Sequence, residues 1–196
     1  MRFTPPRMSI ARLEKKAQTL RQFILQYIVA TQNGPPEHKF ALLAIVRSVD
    51  SPLLQAIASL ADEMAQGCVA VRLIVAQADP ETFSQAWRNA SIGGDFEHEI
   101  RWARNPRLIE AHEQLVLGPH TCWIGDSMRR DPSKSDAYES YIEDCGEAAG
   151  CAAVSFERLW TASDPLLVGI ARAAGCAADA IVITDTADEG LAASRH

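Results

Sequence analysis

The sequence predicts an α/β protein in which helices flank a single-layer, mixed and largely parallel β-sheet. Three observations support this class. Segments with helical spacing of apolar residues alternate with short apolar segments, some short segments are apolar on both faces as buried parallel strands are, and Gly or Pro residues separate the segments. No internal repeat or low-complexity segment interrupts the 196 residues, so a single domain over 1–196 is expected.

The first half of the chain is predicted to alternate helices with strands. Apolar residues at helical spacing define the helices, and apolar or alternating runs define the strands. The predicted elements are, in order, a helix over 9–30, a strand over 39–48, a helix over 52–67, a strand over 69–76, a helix over 81–90 and a strand over 96–103.

The second half begins with a hairpin and is predicted to end in further helices. Three helices are expected to begin at Ser51-Pro52, Asp79-Pro80 and Asp164-Pro165, because a capping side chain there precedes a Pro at the first helical position. The predicted elements are a hairpin within 113–124, a strand over 137–143, helices over 147–160 and 165–174, an edge strand over 180–184 and a frayed tail over 185–196.

Composition and charge exclude several classes of protein. The chain is 47% hydrophobic and 22% charged, as ordinary globular domains are, and its net charge of −6 argues against indiscriminate binding to nucleic acid or anionic membranes. No apolar run approaches the roughly 20 residues of a membrane span. The N-terminal segment lacks the pattern of a secretory signal peptide, so a cytoplasmic location is expected.

Five cysteines without Cys-x-x-Cys spacing resemble neither a disulfide framework nor a zinc site. They are expected to be small buried hydrophobic residues. No cofactor is predicted. No metal site is predicted either, because His120 and Asp126 have no third ligand at a suitable spacing.

The most informative segment of the chain runs from His112 to Arg130. It is predicted to form two short strands that meet at Gly118-Pro119, and the second strand leads into Gly125-Asp126-Ser127. Since residues two apart on a strand point to the same face, His112 and Gln114 are expected to lie side by side.

This hairpin resembles the active-site hairpin of the phospholipase D superfamily. In that family a nucleophilic His and a phosphate-binding Lys lie two apart, an Asp follows five residues after the Lys, and a Gly-Ser-x-Asn turn comes later. His112 matches the His, whereas Gln114 stands at the Lys and Pro119 at the Asp. The segment 125–128 stands at the Gly-Ser-x-Asn turn.

Two further segments extend the resemblance to about residues 40–165. The run Val69-Ala-Val-Arg-Leu-Ile-Val75 after a helix and a Gly is similar to a family strand, and Phe156-x-x-x-Trp160 is similar to the end of a family helix. The resemblance implies one half of a phospholipase D-like domain. Because the family's second His comes from another half or from a symmetry mate, it also implies a homodimer.

The resemblance implies a damaged catalytic site. In the family a neutral His attacks phosphorus, a second His protonates the leaving oxygen, and Lys and Asn offset the developing charge. Loss of one such charge-stabilising donor costs roughly 10²–10³ in rate. We therefore expect a non-catalytic protein that binds an anionic ligand or a protein partner. The alternative is a divergent phosphodiesterase or nuclease in which His112 attacks, Glu139 orients it, and Arg129, Arg130 or Lys134 replaces the Lys.

The expected ligand contains phosphate or another anion, because basic residues cluster between positions 101 and 134. Arg guanidinium groups suit phosphate and carboxylate geometry. The predicted ligand-binding residues are Gln114, Ser127, Arg129, Arg130 and Lys134, with Arg101, Arg104 and Arg107 preceding the hairpin. The other interpretation is a set of solvated or locally salt-bridged arginines.

Overall fold

A computed structural model describes residues 7–32, 41–76, 79–89, 96–104, 112–125 and 139–169. Five helices and seven strands lie within these ranges. They are α1 (Arg7–Gln32), β1 (Leu42–Val46), α2 (Pro52–Ala58), α3 (Ala61–Gly67), β2 (Val71–Val75), α4 (Pro80–Asn89), β3 (His98–Trp102), β4 (Gln114–Leu117), β5 (Thr121–Ile124), β6 (Ser140–Ile142), α5 (Gly146–Thr161) and β7 (Asp164–Gly169).

The seven strands form one mixed sheet in the order β6-β5-β4-β1-β2-β3-β7. The α/β class is thus confirmed, but the prediction of a largely parallel sheet is wrong. Only the β1–β2 and β2–β3 pairs are parallel, and the other four pairs are antiparallel. The reason is that the β4–β5 hairpin joins the sheet beside β1 and β7 runs back along β3, so crossovers connect only the three central strands.

Helices cover both faces of this sheet. Leu42, Ala44 and Val46 of β1 belong to the main core, which also contains the buried side chains of α1, α2 and α3. The alternate residue Ile45 packs in a second cluster with Phe156 and Trp160 of α5. We call these two sides of the sheet the α1 face and the α5 face. Because β1 is buried on both faces, its sequence is continuously apolar.

The capping pattern predicts two helix starts correctly and one incorrectly. The Ser51 side chain accepts a hydrogen bond from Leu54 N at 3.4 Å before α2, and Asp79 Oδ2 accepts one from Thr82 N at 2.9 Å in α4. The helix predicted from Asp164-Pro165 is instead strand β7. Its apolar residues pair with β3, and the register shifts opposite Pro165, where an edge strand tolerates a residue without an N–H.

The other predicted elements of the second half have mixed outcomes. Both hairpin strands and the helix at 147–160 are confirmed as β4, β5 and α5, and the predicted strand over 137–143 is the shorter β6. The edge strand predicted over 180–184 and the tail over 185–196 lie outside the described residues.

The cysteines differ in environment more than the sequence indicates. Cys122 is fully buried, whereas Cys145 is half-buried and Cys151 is exposed, and all three are free thiols. Cys68 is disulfide-bonded, contrary to the expectation that the cysteines are not paired in disulfides.

Candidate functional site

Those predicted site residues that the structure describes lie at or near one edge of the sheet. The parallel strands β1, β2 and β3 all end at this edge, and β5, which runs parallel to β1, ends there as well. The antiparallel strands β4 and β6 begin there. His112, Gly125 and Glu139 therefore share the carboxyl edge of the central strands, where open α/β sheets usually bind ligands.

Gln114 is the best-defined member of the predicted site. It lies opposite Ile45 of β1, and its Nε2 donates a 2.7 Å hydrogen bond to the backbone oxygen of Ala152 in α5. This contact places the side chain on the α5 face. The amide group that stands at the family Lys therefore attaches a helix to the sheet.

His112 lies two residues before Gln114 and is half-buried. Gly125 N donates to Glu113 O at 2.8 Å, which extends the β4–β5 pairing up to Glu113. The Nδ1 atom of His112 is buried and has no hydrogen-bond partner within the described part of the chain. A buried ring nitrogen without a partner is unusual in folded proteins.

Glu113 is a buried site residue that the sequence analysis missed. Only 8% of it is exposed, and its Oε1 accepts a hydrogen bond of 3.3 Å from the backbone N of Arg47, just after β1. Buried carboxylates are rare unless they are paired or hydrogen-bonded. The sequence does indicate that Glu113 is buried, because Glu113 alternates along the strand with the apolar residues Leu115 and Leu117 and therefore points to the same face.

Glu139 lies on the opposite face from Gln114. Lys16 Nζ of α1 pairs with Glu139 Oε1 at 2.7 Å and lies 5.3 Å from the centroid of the Trp123 ring. Tyr141 OH donates to Glu139 Oε2 at 3.1 Å. These contacts place Glu139 on the α1 face, so they give no support to the predicted role of orienting His112.

The same cluster perturbs a phenol. Burial raises the pKa of Tyr141 above its ordinary value, and the neighbouring negative charge of Glu139 adds to the effect. The Tyr141 ring also packs edge-on against Phe23 of α1, with 5.3 Å between the ring centroids. The cluster of Lys16, Phe23, Glu139 and Tyr141 thus packs the β6 edge of the sheet against α1.

Gly125 begins the segment that resembles the Gly-Ser-x-Asn turn. A Cβ atom at this position would lie 2.4 Å from Trp123 Cη2 and 2.7 Å from Trp123 Cζ2. The Trp123 ring is fully buried, so moving it aside would disturb the side chains packed around it. Local packing therefore explains this glycine without any phosphate.

The two described arginines that precede the hairpin are already engaged. Arg101 donates to Glu99 Oε1 at 3.0 Å and to the backbone oxygen of Trp160 at 3.1 Å. Arg104 Nε pairs with Asp164 Oδ2 at 2.6 Å. These contacts favour the interpretation of locally salt-bridged arginines for both.

The remaining predicted ligand residues lie outside the described residues. They are Ser127, Arg129, Arg130, Lys134 and Arg107. The described structure thus brings Gln114, His112 and Glu113 to one edge, separates Glu139 from Gln114 by face, and leaves the anion-binding prediction untested.

The comparison with known proteins adds no relative. No model of a known protein family matches the sequence, and no curated protein matches it. The resemblance to the phospholipase D superfamily therefore depends on the residues quoted above. Among the helices of the described ranges, none has the length and apolar character needed to cross a membrane.

Proposed function

We propose that this chain is a phospholipase D-like protein without catalytic activity that acts by binding an anionic ligand or a protein partner. The observation that carries the proposal is the hydrogen bond from Gln114 Nε2 to the Ala152 backbone oxygen at 2.7 Å. The position at which the family has a phosphate-binding ammonium group is here a neutral amide that holds α5.

The physical argument concerns charge. An amide cannot offset the negative charge of a transferring phosphoryl group as an ammonium group does. Moving Gln114 toward a phosphate would also break its contact with Ala152 and leave buried polar atoms unpaired, which costs about 1–3 kcal/mol. Binding a ligand at the edge does not require a group that stabilises transition-state charge, so a binding role is the simpler use of this site.

The location of the edge supports ligand binding. The predicted basic residues Arg129, Arg130 and Lys134 follow Gly125, which is at the carboxyl edge of the sheet. We include in the proposal a homodimer in which the two hairpins face each other, and a cytoplasmic location, both carried over from the resemblance and the sequence.

Hydrolysis of bis(4-nitrophenyl) phosphate tests the absence of catalysis. We expect background rates from the wild type, His112→Ala and His120→Ala, a matched control because His120 is exposed at the other end of the same hairpin. Activity that disappears in His112→Ala but persists in His120→Ala would overturn the proposal.

Ligand binding needs a separate experiment. Titration with inorganic pyrophosphate is expected to give saturable binding that weakens when Arg129 and Arg130 are both changed to Ala, while Arg104→Ala, whose guanidinium pairs with Asp164, leaves it unchanged. No saturable binding would leave the protein partner as the remaining form of the proposal, and sedimentation as a monomer would remove the homodimer from it.

The second candidate function is the divergent phosphodiesterase. One observation favours it: His112 Nδ1 is buried and lacks a hydrogen-bond partner among the described residues, so the ring is not committed at that atom to a described contact. A Gln114→Lys variant distinguishes the two functions. A rate that rises above background in this variant and vanishes when His112→Ala is added would favour a latent catalytic site.

A further inference from the structure

Two free cysteines lie near the turn of the β4–β5 hairpin, at the opposite edge of the sheet from His112. Cys122 of β5 is fully buried and packs in one cluster with Ala149 and Ala152 of α5. Cys145 immediately precedes α5 and is half-buried. Both carry free thiols, and the function proposed above uses neither of them.

A backbone hydrogen bond holds Cys145 beside β5. The N–H of Cys145 donates to the backbone oxygen of His120 at 2.9 Å, and β6, which ends at Ile142, pairs this residue with Cys122. Paired strands lie about 4.7–4.9 Å apart. A disulfide joins Cα atoms that are about 4.4–6.8 Å apart. The segment from β6 to Cys145 therefore runs beside β5 at a spacing that a disulfide can bridge.

Cys145 also continues the side of α5 that faces the sheet. The buried residues of this helix are spaced three or four apart, and the first of them, Ala149, follows Cys145 by four residues. Residues four apart on a helix lie on the same face. Because Ala149 packs with Cys122, this face directs Cys145 toward the same part of β5. The Cys145 side chain makes no capping hydrogen bond to α5, so the helix does not engage its sulfur atom.

The electrostatics of the pair give the two thiols different roles. Burial raises the pKa of the Cys122 thiol, and the negative charge of the nearby Cys145 thiolate raises it further. Cys122 therefore stays a protonated, sheltered thiol, whereas Cys145 is the member of the pair that solvent reaches. Peroxides oxidise accessible thiolates first, and a second thiol beside the oxidised sulfur then converts it to a disulfide.

We propose that Cys145 and Cys122 form a peroxide-reactive pair that closes to a disulfide. In the first step the Cys145 thiolate attacks one oxygen of hydrogen peroxide, the O–O bond breaks, hydroxide leaves, and Cys145 becomes a sulfenic acid. In the second step the Cys122 sulfur attacks the Cys145 sulfur, the S–S bond forms as the S–O bond breaks, and the departing hydroxyl takes the Cys122 proton as water. Two thiols are oxidised and one peroxide is reduced to two waters. The proposal is independent of the phospholipase D resemblance.

Peptide mapping of the full chain after peroxide treatment tests the proposal. Trypsin leaves Cys122 in the peptide 108–129 and Cys145 in the peptide 135–158, which also contains Cys151. The mapping is therefore done on Cys151→Ser, which removes this exposed thiol. After remaining thiols are alkylated, we expect the two peptides to be joined by a disulfide that dithiothreitol cleaves. Separate peptides, whether or not Cys145 is oxidised, would overturn the proposal.

Two further substitutions in the Cys151→Ser chain separate the roles of the thiols. Cys145→Ala is expected to leave Cys122 reduced, because the buried thiol then has no oxidised neighbour to attack. Cys122→Ala is expected to leave Cys145 as a sulfenic acid, which dimedone labels. Equal oxidation of Cys122 with and without Cys145 would overturn the proposed order of steps.

Controls for folding and for cross-linking between chains complete the experiment. Circular dichroism checks that each variant is folded, and if Cys122→Ala is not, Cys145→Ala at the half-buried position still tests the order. Non-reducing electrophoresis is expected to show the oxidised Cys151→Ser protein at the size of one chain. A covalent dimer that contains the Cys122–Cys145 link would overturn the assignment of the two thiols to one pair.

Discussion

Replacing Gly125 by Ala tests the packing explanation for the glycine in the segment that resembles the family turn. The added Cβ would lie 2.4 Å and 2.7 Å from two carbon atoms of the Trp123 ring, closer than carbon atoms approach in folded proteins. Trp123 is fully buried, with Lys16 over its ring and Tyr141 beside it. The ring therefore cannot turn aside without disturbing the cluster that fastens β6 to α1.

The expected cost follows from the size of this overlap. Overpacking a well-packed core costs about 1–3 kcal/mol, and contacts this short with a fixed ring belong to the upper half of that range, about 2–3 kcal/mol. For a chain of this length, each kcal/mol lowers the melting temperature by about 2–4 °C. Gly125→Ala is thus expected to melt about 4–12 °C below the wild type.

Gly150 provides a matched control because the same substitution there has the opposite expected sign. It lies inside α5, and a Cβ at Gly150 meets nothing within 4 Å. Alanine in a helix interior is more stable than glycine by about 0.5–1 kcal/mol, so Gly150→Ala is expected to melt about 1–4 °C above the wild type.

Thermal unfolding followed by circular dichroism measures both variants. Urea unfolding gives the free energies at constant temperature, and equal m-values ensure that the comparison concerns stability alone. If Gly125→Ala is as stable as the wild type while Gly150→Ala is stabilised, the packing explanation is refuted. The glycine would then need another reason, and the resemblance to a phosphate-binding turn would gain weight.

Three further predictions concern titration and reactivity. Burial raises the pKa of Tyr141 above 10, so the neutral phenol stabilises the folded protein below about pH 10 and this contribution is lost above it. The unfolding free energy of Tyr141→Phe is therefore expected to fall less than that of the wild type between about pH 9 and about pH 11. The hydrogen bond from Thr82 lowers the pKa of Asp79 below 3.8, so the contribution of the Asp79 carboxylate to stability is present above about pH 4 and is lost as the pH falls. The urea midpoints of the wild type and Asp79→Ala are therefore expected to converge in acid. Ellman's reagent is expected to label the exposed Cys151 first and Cys122 only after unfolding, because burial both shields the Cys122 thiol and raises its pKa.

Each of these predictions has a contrary result. Parallel stability curves for the wild type and Tyr141→Phe in alkaline solution would show that the phenol ionises freely in the folded protein. A constant difference between the wild type and Asp79→Ala down to low pH would show that charge is not what makes Asp79 a good cap. Rapid labelling of Cys122 in the native protein would show that the β5 region opens readily.

Local patterns predicted most of the elements but not how the strands pair. The buried strands β1 and β2 were recognisable because their apolar runs are typical of strands covered on both faces, and Pro52 and Pro80 marked helix starts. The neighbour of β1 is decided by long-range packing, which no local pattern contains. For the same reason Asp164-Pro165 was misinterpreted, since pairing with β3 outweighed a local helix-start signal.

The candidate site was predicted in its positions more than in its contacts. Gln114 begins β4 and His112 lies two residues before it, yet nothing in the sequence indicated that Gln114 would bond to Ala152. The role of Glu139 was assigned from the resemblance to the family, whereas Lys16, distant in sequence, determines its environment. Ion pairs between distant segments are the contacts that a single sequence contains least information about.

The antiparallel pairing of β7 with β3 has a consequence for synthesis on the ribosome. Strand β3 is complete once Trp102 has emerged, but the strand that covers its outer edge begins only at Asp164. During that interval β3 exposes unpaired backbone groups, which are a template for association with other chains. Because domains begin to fold while the chain is still growing, a nascent chain stalled before Asp164 should depend on chaperones far more than the finished protein does.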